Sequence, residues 1–211
     1  MGRAEKRLKA AMAALAAVEP AFAQGLERVG YPAPRVRPPG YETLLRTIVG
    51  QQVSVAAADA MWAKLESALG ATDDPVLLAV APDAVLREAG LSRQKMGYAR
   101  SLAELLVSGG LDLGTLPAED EEAIAALTRI KGIGRWSAEI YLLFAEERPD
   151  IWPAGDLAVQ AEIGRLLGLE ARPSEKELRA LAEGWRPHRG AAAIFAWHHY
   201  KQNGKSGAPI G

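Results

Sequence analysis

Apolar residues in this chain recur every three or four positions far more often than every second one, which is the period of helices rather than strands. Leu8, Met12, Leu15 and Val18 keep that spacing and predict an amphipathic helix over 3–18, with Glu19-Pro20 ending it or starting the next. Tyr31–Gly40 is proline-rich and reads as an extended linker. From Tyr41 to Gly70 the pattern gives one or two strong helices, interrupted around Ile48–Ser54. Gly50 there costs about 1 kcal/mol against alanine in a helix interior, and Ser54 suits a cap for the helix that follows. Thr72-Asp73-Asp74-Pro75 and Ala81-Pro82-Asp83 open two further helices. Leu91-Ser92 precedes a helix that begins with the basic segment Arg93–Arg100. Glu119–Glu122 place acidic side chains in the first turn of a helix through Leu127, where the macrodipole favours them. Trp136, Ile140, Leu143 and Phe144 predict another helix from Arg135 to near Pro149. Three more follow: Leu157–Leu167 behind Asp156, 175–183 behind the capping box Ser174-x-x-Glu177, and Ala191–Tyr200, with 201–211 as a frayed polar tail. The expected class is all-α.

Lys131-Gly132-Ile133-Gly134 is too short and glycine-rich for anything but a tight turn between two of these helices. Gly132 and Gly134 admit backbone angles closed to other residues and present bare N–H groups at the start of the second helix, where the dipole favours an anion. Lys131 and Arg135 flank the turn with positive charge. A phosphate fits that description, and so does an ordinary helix–helix connection.

Composition narrows the chemistry. The 211 residues are 49% hydrophobic, enough for a sizeable core and too apolar for disorder. There is no cysteine, which removes disulfides, thiol catalysis and cysteine-held zinc or iron–sulfur centres. His198 and His199 are adjacent, so on a helix they diverge, and a metal site with His188 is not expected. The formal net charge is −1, so a nucleic-acid binder built from this chain must gather its cations on one face. It should also hold undamaged DNA weakly, since sequence-independent affinity is mostly phosphate neutralisation. Arg3, Lys6, Arg7 and Lys9 before an Ala-rich run superficially imitate a secretory signal, but the run is weakly apolar and broken by Glu19-Pro20. No apolar run is long enough to span a bilayer, and a cytoplasmic location is expected.

Leu127-x-x-Ile130-Lys131-Gly132-Ile133-Gly134-Arg135-Trp136-Ser137-Ala138, followed by Pro153-Ala154-Gly155-Asp156-Leu157, resembles the signature of the helix-hairpin-helix DNA glycosylases. The resemblance is strongest to the 3-methyladenine DNA glycosylase II, or AlkA-like, branch and runs from about Tyr41 to Trp197. It implies two helical subdomains flanking a DNA-binding cleft, 1–40 with 150–211 and 41–149. The larger AlkA-like enzymes carry an extra N-terminal α/β domain, but only about forty residues precede Tyr41 here, so a compact all-α form is expected. It implies an enzyme that flips alkylated purines out of damaged double-stranded DNA and cuts the N-glycosidic bond. Asp156 would be the catalytic carboxylate near C1′ of the sugar, although it suits the N-cap of the Leu157–Leu167 helix equally well. An alkylated purine leaves as a neutral base, so one acid is enough.

Site residues carry over position by position. Trp136 and Trp197 match aromatic residues of the base pocket, where their faces would stack on a cationic base, though either also suits a core. Tyr141 and Trp152 are further pocket candidates, and a relative's pocket tyrosine falls at Ile140. Gln52 matches the wedge that fills the gap left by the extruded nucleotide, with Gln51 structural beside it. Gly132, Gly134, Arg135, Ser137 and Lys131 would face DNA, as would Lys95 of a Ser-x-x-Lys-x-x-Tyr pattern, whose alternative is a solvated helix face. Carbonyls of Thr128, Ile130 and Ile133 would hold a monovalent cation, Na+ or K+, and no other cofactor is required. Bifunctional relatives carry a lysine where this chain has Trp136, so no lyase step is expected. The alternatives are hypoxanthine, ethenoadenine or uracil as the lesion, a non-catalytic DNA-binding module, or a helical protein-interaction domain. A monomer is the default.

Overall fold

The computed structural model describes residues 2–204, which contain twelve α-helices and no strand. The helical period therefore predicted the class. None of these helices is long and apolar enough to cross a membrane. The chain divides into two compact units: the residues up to Val36 together with those from Glu147 onward, and Arg37–Glu146 between them.

The first unit contains α1 (Arg3–Val18), α2 (Pro20–Val29), α10 (Leu157–Leu166), α11 (Glu175–Leu181), a short 3-10 turn (Ala182–Trp185) and α12 (Arg189–Gly204). Leu8, Met12 and Leu15 of α1 are buried, as their spacing predicted, but Val18, at the helix end, is exposed. Phe22 is the aromatic centre of this core, with Trp185 edge-on at 5.1 Å and Phe195 at 5.9 Å. Gly25 lets α2 approach α12, because a Cβ there would lie 2.9 Å from the Phe195 ring. Trp152 stands edge-on to Trp185 at 5.7 Å and donates its indole N–H to the Leu178 carbonyl. It is core, not pocket. The last helix starts two residues earlier than predicted because Asp150, far back in the chain, accepts from both the Arg189 backbone N–H and its guanidinium. His198 bonds the Val29 carbonyl and His199 bonds Glu162, so the adjacent histidines do diverge. Of the tail predicted to fray, Lys201–Gly204 is helical, and 205–211 lie outside the described residues.

The second unit contains α3 (Tyr41–Val49), α4 (Val55–Leu69), α5 (Pro75–Val80), α6 (Asp83–Glu88), α7 (Arg93–Val107), α8 (Asp120–Thr128) and α9 (Arg135–Phe144). Helix α7 lies against α3, α5 and α6. Its Arg100 donates to the carbonyls of Ala79 and Ala81 and to Asp83, closing the ends of the two short helices over it. Caps read from the sequence form: Ser54 accepts from the Ala57 N–H and Asp74 from the Val76 N–H. Helix α9 stops at Phe144, short of the predicted Pro149. Glu147 takes a φ of +52°, which no helix continues through.

Tyr41 is 8% exposed, lies at the start of α3, and its hydroxyl has no hydrogen-bond partner. An unpartnered buried hydroxyl loses about 1–3 kcal/mol of hydration on folding. Tyr41→Phe is therefore expected to raise stability by roughly 1 kcal/mol. Burial, with Asp74 nearby, also raises the Tyr41 pKa well above its ordinary value. The folded protein thus keeps this proton after the unfolded chain has lost it. Stability from this group is complete below about pH 10 and declines above it, and the variant lacks that decline. Urea midpoints at about pH 7 and pH 10.5 for both proteins check this. A lower midpoint with an unchanged alkaline slope would refute it.

Candidate nucleic-acid interface

The hairpin between α8 and α9 is pinned from below by the buried side chains of Leu127, Ile130 and Ile133. The Ile130 N–H donates to the Leu127 carbonyl and the Ile133 N–H to the Ile130 carbonyl, at 3.1 and 3.0 Å. Gly132 takes a φ of +83°, and the Tyr98 ring lies so close that a Cβ would sit 2.2 Å from it. Gly134 is different. Its φ of −84° and ψ of 174° are open to any residue, so it needs no special backbone freedom, contrary to the expectation for both glycines. It is the N-cap of α9, it supplies no side-chain cap, and a Cβ there would meet nothing within 4 Å. The first-turn amides of α9 therefore lie behind a surface clear of side-chain bulk, as close approach by an anion requires.

Charges around the turn are arranged differently from the sequence expectation. Lys131 is exposed, and its backbone N–H donates to the Ser101 hydroxyl. Arg135 is not a spare cation. Its Nε donates to Glu139 at 2.9 Å and its terminal nitrogens to Glu121 at 2.8 and 2.5 Å. These carboxylates, Glu121 foremost, raise its pKa and neutralise its charge. Lys95 also departs from the phosphate-facing expectation. It is 9% exposed, and its ammonium donates to the Val49 carbonyl at 2.7 Å.

A cavity of about 1140 Å³ opens within this unit, with Arg46, Gln51, Gln52, Trp136, Ser137 and Ile140 among its lining residues. Trp136, on the first turn of α9, is 48% exposed, so its indole is a cavity wall and not core. Ser137 and Ile140 are half-buried. Tyr141 is not in this wall. It is 3% exposed and its hydroxyl accepts from the Gly40 N–H at 2.8 Å, so it fixes the start of α3. Burial raises its pKa despite that bond. Gln52 is exposed with a φ of +56°, a left-handed geometry that costs a non-glycine residue about 1–2 kcal/mol. Gln51 turns inward instead, and its Nε2 donates to the Gly132 carbonyl at 2.8 Å. Arg46 stacks on the Trp62 ring at 3.9 Å and bonds Glu42. Gln51 is structural, as the sequence suggested, but its partner on the hairpin was not foreseen, and neither was the Tyr98 cover.

In the first unit, Asp156 is half-buried and is the N-cap of α10, with Oδ1 accepting from the Ala158 and Val159 N–H groups, both at 2.9 Å. Its backbone follows the turn Pro153–Asp156, closed by the Asp156 N–H on the Pro153 carbonyl. Trp197 is half-buried on α12. Of the three carbonyls considered for a cation, that of Ile130 already accepts the Ile133 N–H, leaving one lone pair. The Thr128 hydroxyl is turned back onto the Ala125 carbonyl. Among the described residues no group of three or more His, Cys, Asp or Glu side chains is placed to hold a metal ion.

Residues 45–187 match the model of the HhH-GPD superfamily of base excision DNA repair proteins. The chain belongs to that superfamily. It is 32% identical over 166 residues to DNA-3-methyladenine glycosylase 1 of Schizosaccharomyces pombe, covering 74% of this chain and 71% of that one. It spans 58% of the length of a Bacillus subtilis relative and 64% of DNA-3-methyladenine glycosylase 2 of Escherichia coli. Among solved structures, a DNA-3-methyladenine glycosidase from Bacillus halodurans superposes with a TM-score of 0.82 at 31% identity, covering 90% of this chain and 88% of that one. The S. pombe 3-methyladenine glycosylase Mag1, in complex with abasic DNA, superposes with a TM-score of 0.75 at 29% identity, over 92% and 96% of the two chains. For this HhH-GPD member, the matched region includes the hairpin, the cavity-lining Arg46, Gln51, Gln52, Trp136, Ser137 and Ile140, and Asp156.

Proposed function

We propose that this HhH-GPD protein is a monofunctional DNA glycosylase that extrudes alkylated purines of the 3-methyladenine type from duplex DNA and hydrolyses their N-glycosidic bonds, in base excision repair. The observation that carries the reading is Trp136, a half-exposed indole on a cavity wall at the first turn of the hairpin's second helix. An aromatic face there stacks on a flipped base and attracts a cationic one, selecting damage by charge. An indole cannot form the Schiff base that a lyase needs. The names of the relatives and the abasic-DNA complex of the S. pombe enzyme support the same substrate class.

The remaining roles follow from chemistry. Asp156 stabilises the oxocarbenium character of the sugar and orients water, while its capping bonds hold it rigid. Gln52 enters the space vacated by the base. Gly134 and the first-turn amides of α9 take a backbone phosphate, with exposed Lys131 and the half-buried Ser137 beside them. Trp197 supplies a second pocket face. A monovalent cation on the Thr128, Ile130 and Ile133 carbonyls would lend positive charge to the same phosphate. The protein acts as a monomer.

Base release from methylated duplex DNA tests the reading. Released 3-methyladenine is expected by chromatography, with strand breaks only after alkali. Breaks without alkali would refute the monofunctional step. Release of hypoxanthine or ethenoadenine alone would change the lesion, and DNA binding with no release of any base would make this a non-catalytic module.

A further inference from the structure

Helix α7 presents Lys95, Tyr98 and Ser101 at three-residue spacing, on one face. Each touches a different piece of the surface assigned above to DNA, and none touches it as the sequence suggested. The Lys95 ammonium donates to the carbonyl of Val49, the last residue of α3. The Tyr98 ring covers Gly132 at the hairpin. The Ser101 hydroxyl accepts from the Lys131 N–H one residue earlier. A further strut runs from Gln51 to the Gly132 carbonyl.

Carbonyls in the last turn of a helix have no partner within it, and the dipole there favours a cation. Lys95 supplies both the donor and the charge at the point where α3 must stop and the chain must turn into Gly50–Ser54. Gln52, inside that turn, is held at a φ of +56°. Such a geometry persists only where the surroundings over-determine it. The surroundings are the Lys95 bond behind it and the Gln51 bond beside it.

We propose that Lys95 is a positioning residue, which holds the Gln52 loop in register with the hairpin through their common support on α7. This rests on the reading of Gln52 as the wedge. The wedge and the phosphate-gripping turn act on neighbouring nucleotides, and a misplacement of about 1 Å in such an arrangement costs on the order of 100-fold. Burial lowers the Lys95 pKa, in keeping with an ammonium removed from water rather than offered to phosphate.

The test uses the full chain and a duplex with an abasic site next to 2-aminopurine, whose fluorescence rises when a side chain enters the stack. No base release is required, so the measurement separates this proposal from the enzymatic reading: a parent that lights the probe but excises nothing fails only the latter. Lys95→Met is expected to cut the fluorescence rise by about three-fold or more, while affinity for undamaged duplex and its salt dependence stay those of the parent. In a Gln52→Ala background Lys95→Met should cause no further loss, because Lys95 acts through Gln52. If Lys95→Met does not fold, Gln51→Ala, which cuts the other strut, enters the same cycle with the same expectation. A salt slope reduced by about one would make Lys95 a phosphate ligand and overturn the proposal. Additive losses, or a parent-like fluorescence rise, would overturn it equally.

Discussion

Asp156→Asn is expected to lower base release by about 10²–10⁴-fold while leaving the fold and the affinity for undamaged DNA near those of the parent. The substitution separates the two things this side chain does. As an N-cap, asparagine is as good as aspartate, because the neutral carbonyl oxygen can accept from the Ala158 and Val159 N–H groups as Oδ1 does. Only the charge at the start of α10 is lost, about 0.3–1 kcal/mol of dipole interaction. A developing positive charge on the sugar, by contrast, needs the anion. Asp156→Ala removes both roles and is expected to cost a further ~1 kcal/mol of stability. Single-turnover release from methylated duplex, beside urea unfolding, checks the split. If the asparagine variant keeps release within about ten-fold of the parent, the carboxylate is a cap alone and the catalytic group lies elsewhere.

Gly132→Ala is expected to destabilise the protein by about 2–5 kcal/mol, while Gly134→Ala costs about 1 kcal/mol or less. Two independent terms fall on Gly132. Its φ of +83° is left-handed, which costs an L-residue about 1–2 kcal/mol, and overpacking against a rigid ring adds about 1–3 kcal/mol. The nearest atoms belong to the Tyr98 ring, at 2.2, 2.4 and 2.6 Å from the added carbon, and a ring joined at its Cγ cannot step aside as a flexible chain end would. Neither term applies at Gly134. Its variant should instead weaken DNA binding, since the added methyl stands where the proposed function places a phosphate. Tyr98→Ala should relieve the packing part of the Gly132→Ala penalty and leave the backbone part, so the pair is non-additive in a double-mutant cycle. Equal losses for the two glycine variants would refute this distinction.

Much of the fold was legible because helix signals are local. Caps at Ser54, Asp74 and Ser174 involve residues two or three positions away, and all three form as the sequence suggested. The apolar spacing picks out Leu8, Met12 and Leu15 in α1 and Leu143 and Phe144 in α9, but Val18 and Trp136, which share the period, are exposed. What escaped the sequence depends on distant partners. A buried lysine and a solvated one look alike in a basic segment, and the acceptor of Lys95 lies 46 residues earlier. Tyr141 read as a pocket residue because nothing near it announced the Gly40 N–H, 101 residues back. Arg135 was a nearer miss. Glu139 sits four positions on, the spacing of a helical ion pair, and would have signalled a neutralised charge. Glu121 would not, since its approach depends on how α8 turns into α9.

The division of the chain also sets a schedule. Helices α1 and α2 are translated before the second unit, but Trp185 and Phe195, whose rings pack on Phe22, come after it. All of the second unit is translated in between, which at ordinary elongation rates takes roughly 5–20 s. At the end of that interval the Arg37–Glu146 stretch has every one of its own partners and can fold, whereas the leading helices still have only each other. The apolar face that carries Phe22 is therefore completed only once the trailing helices have been made.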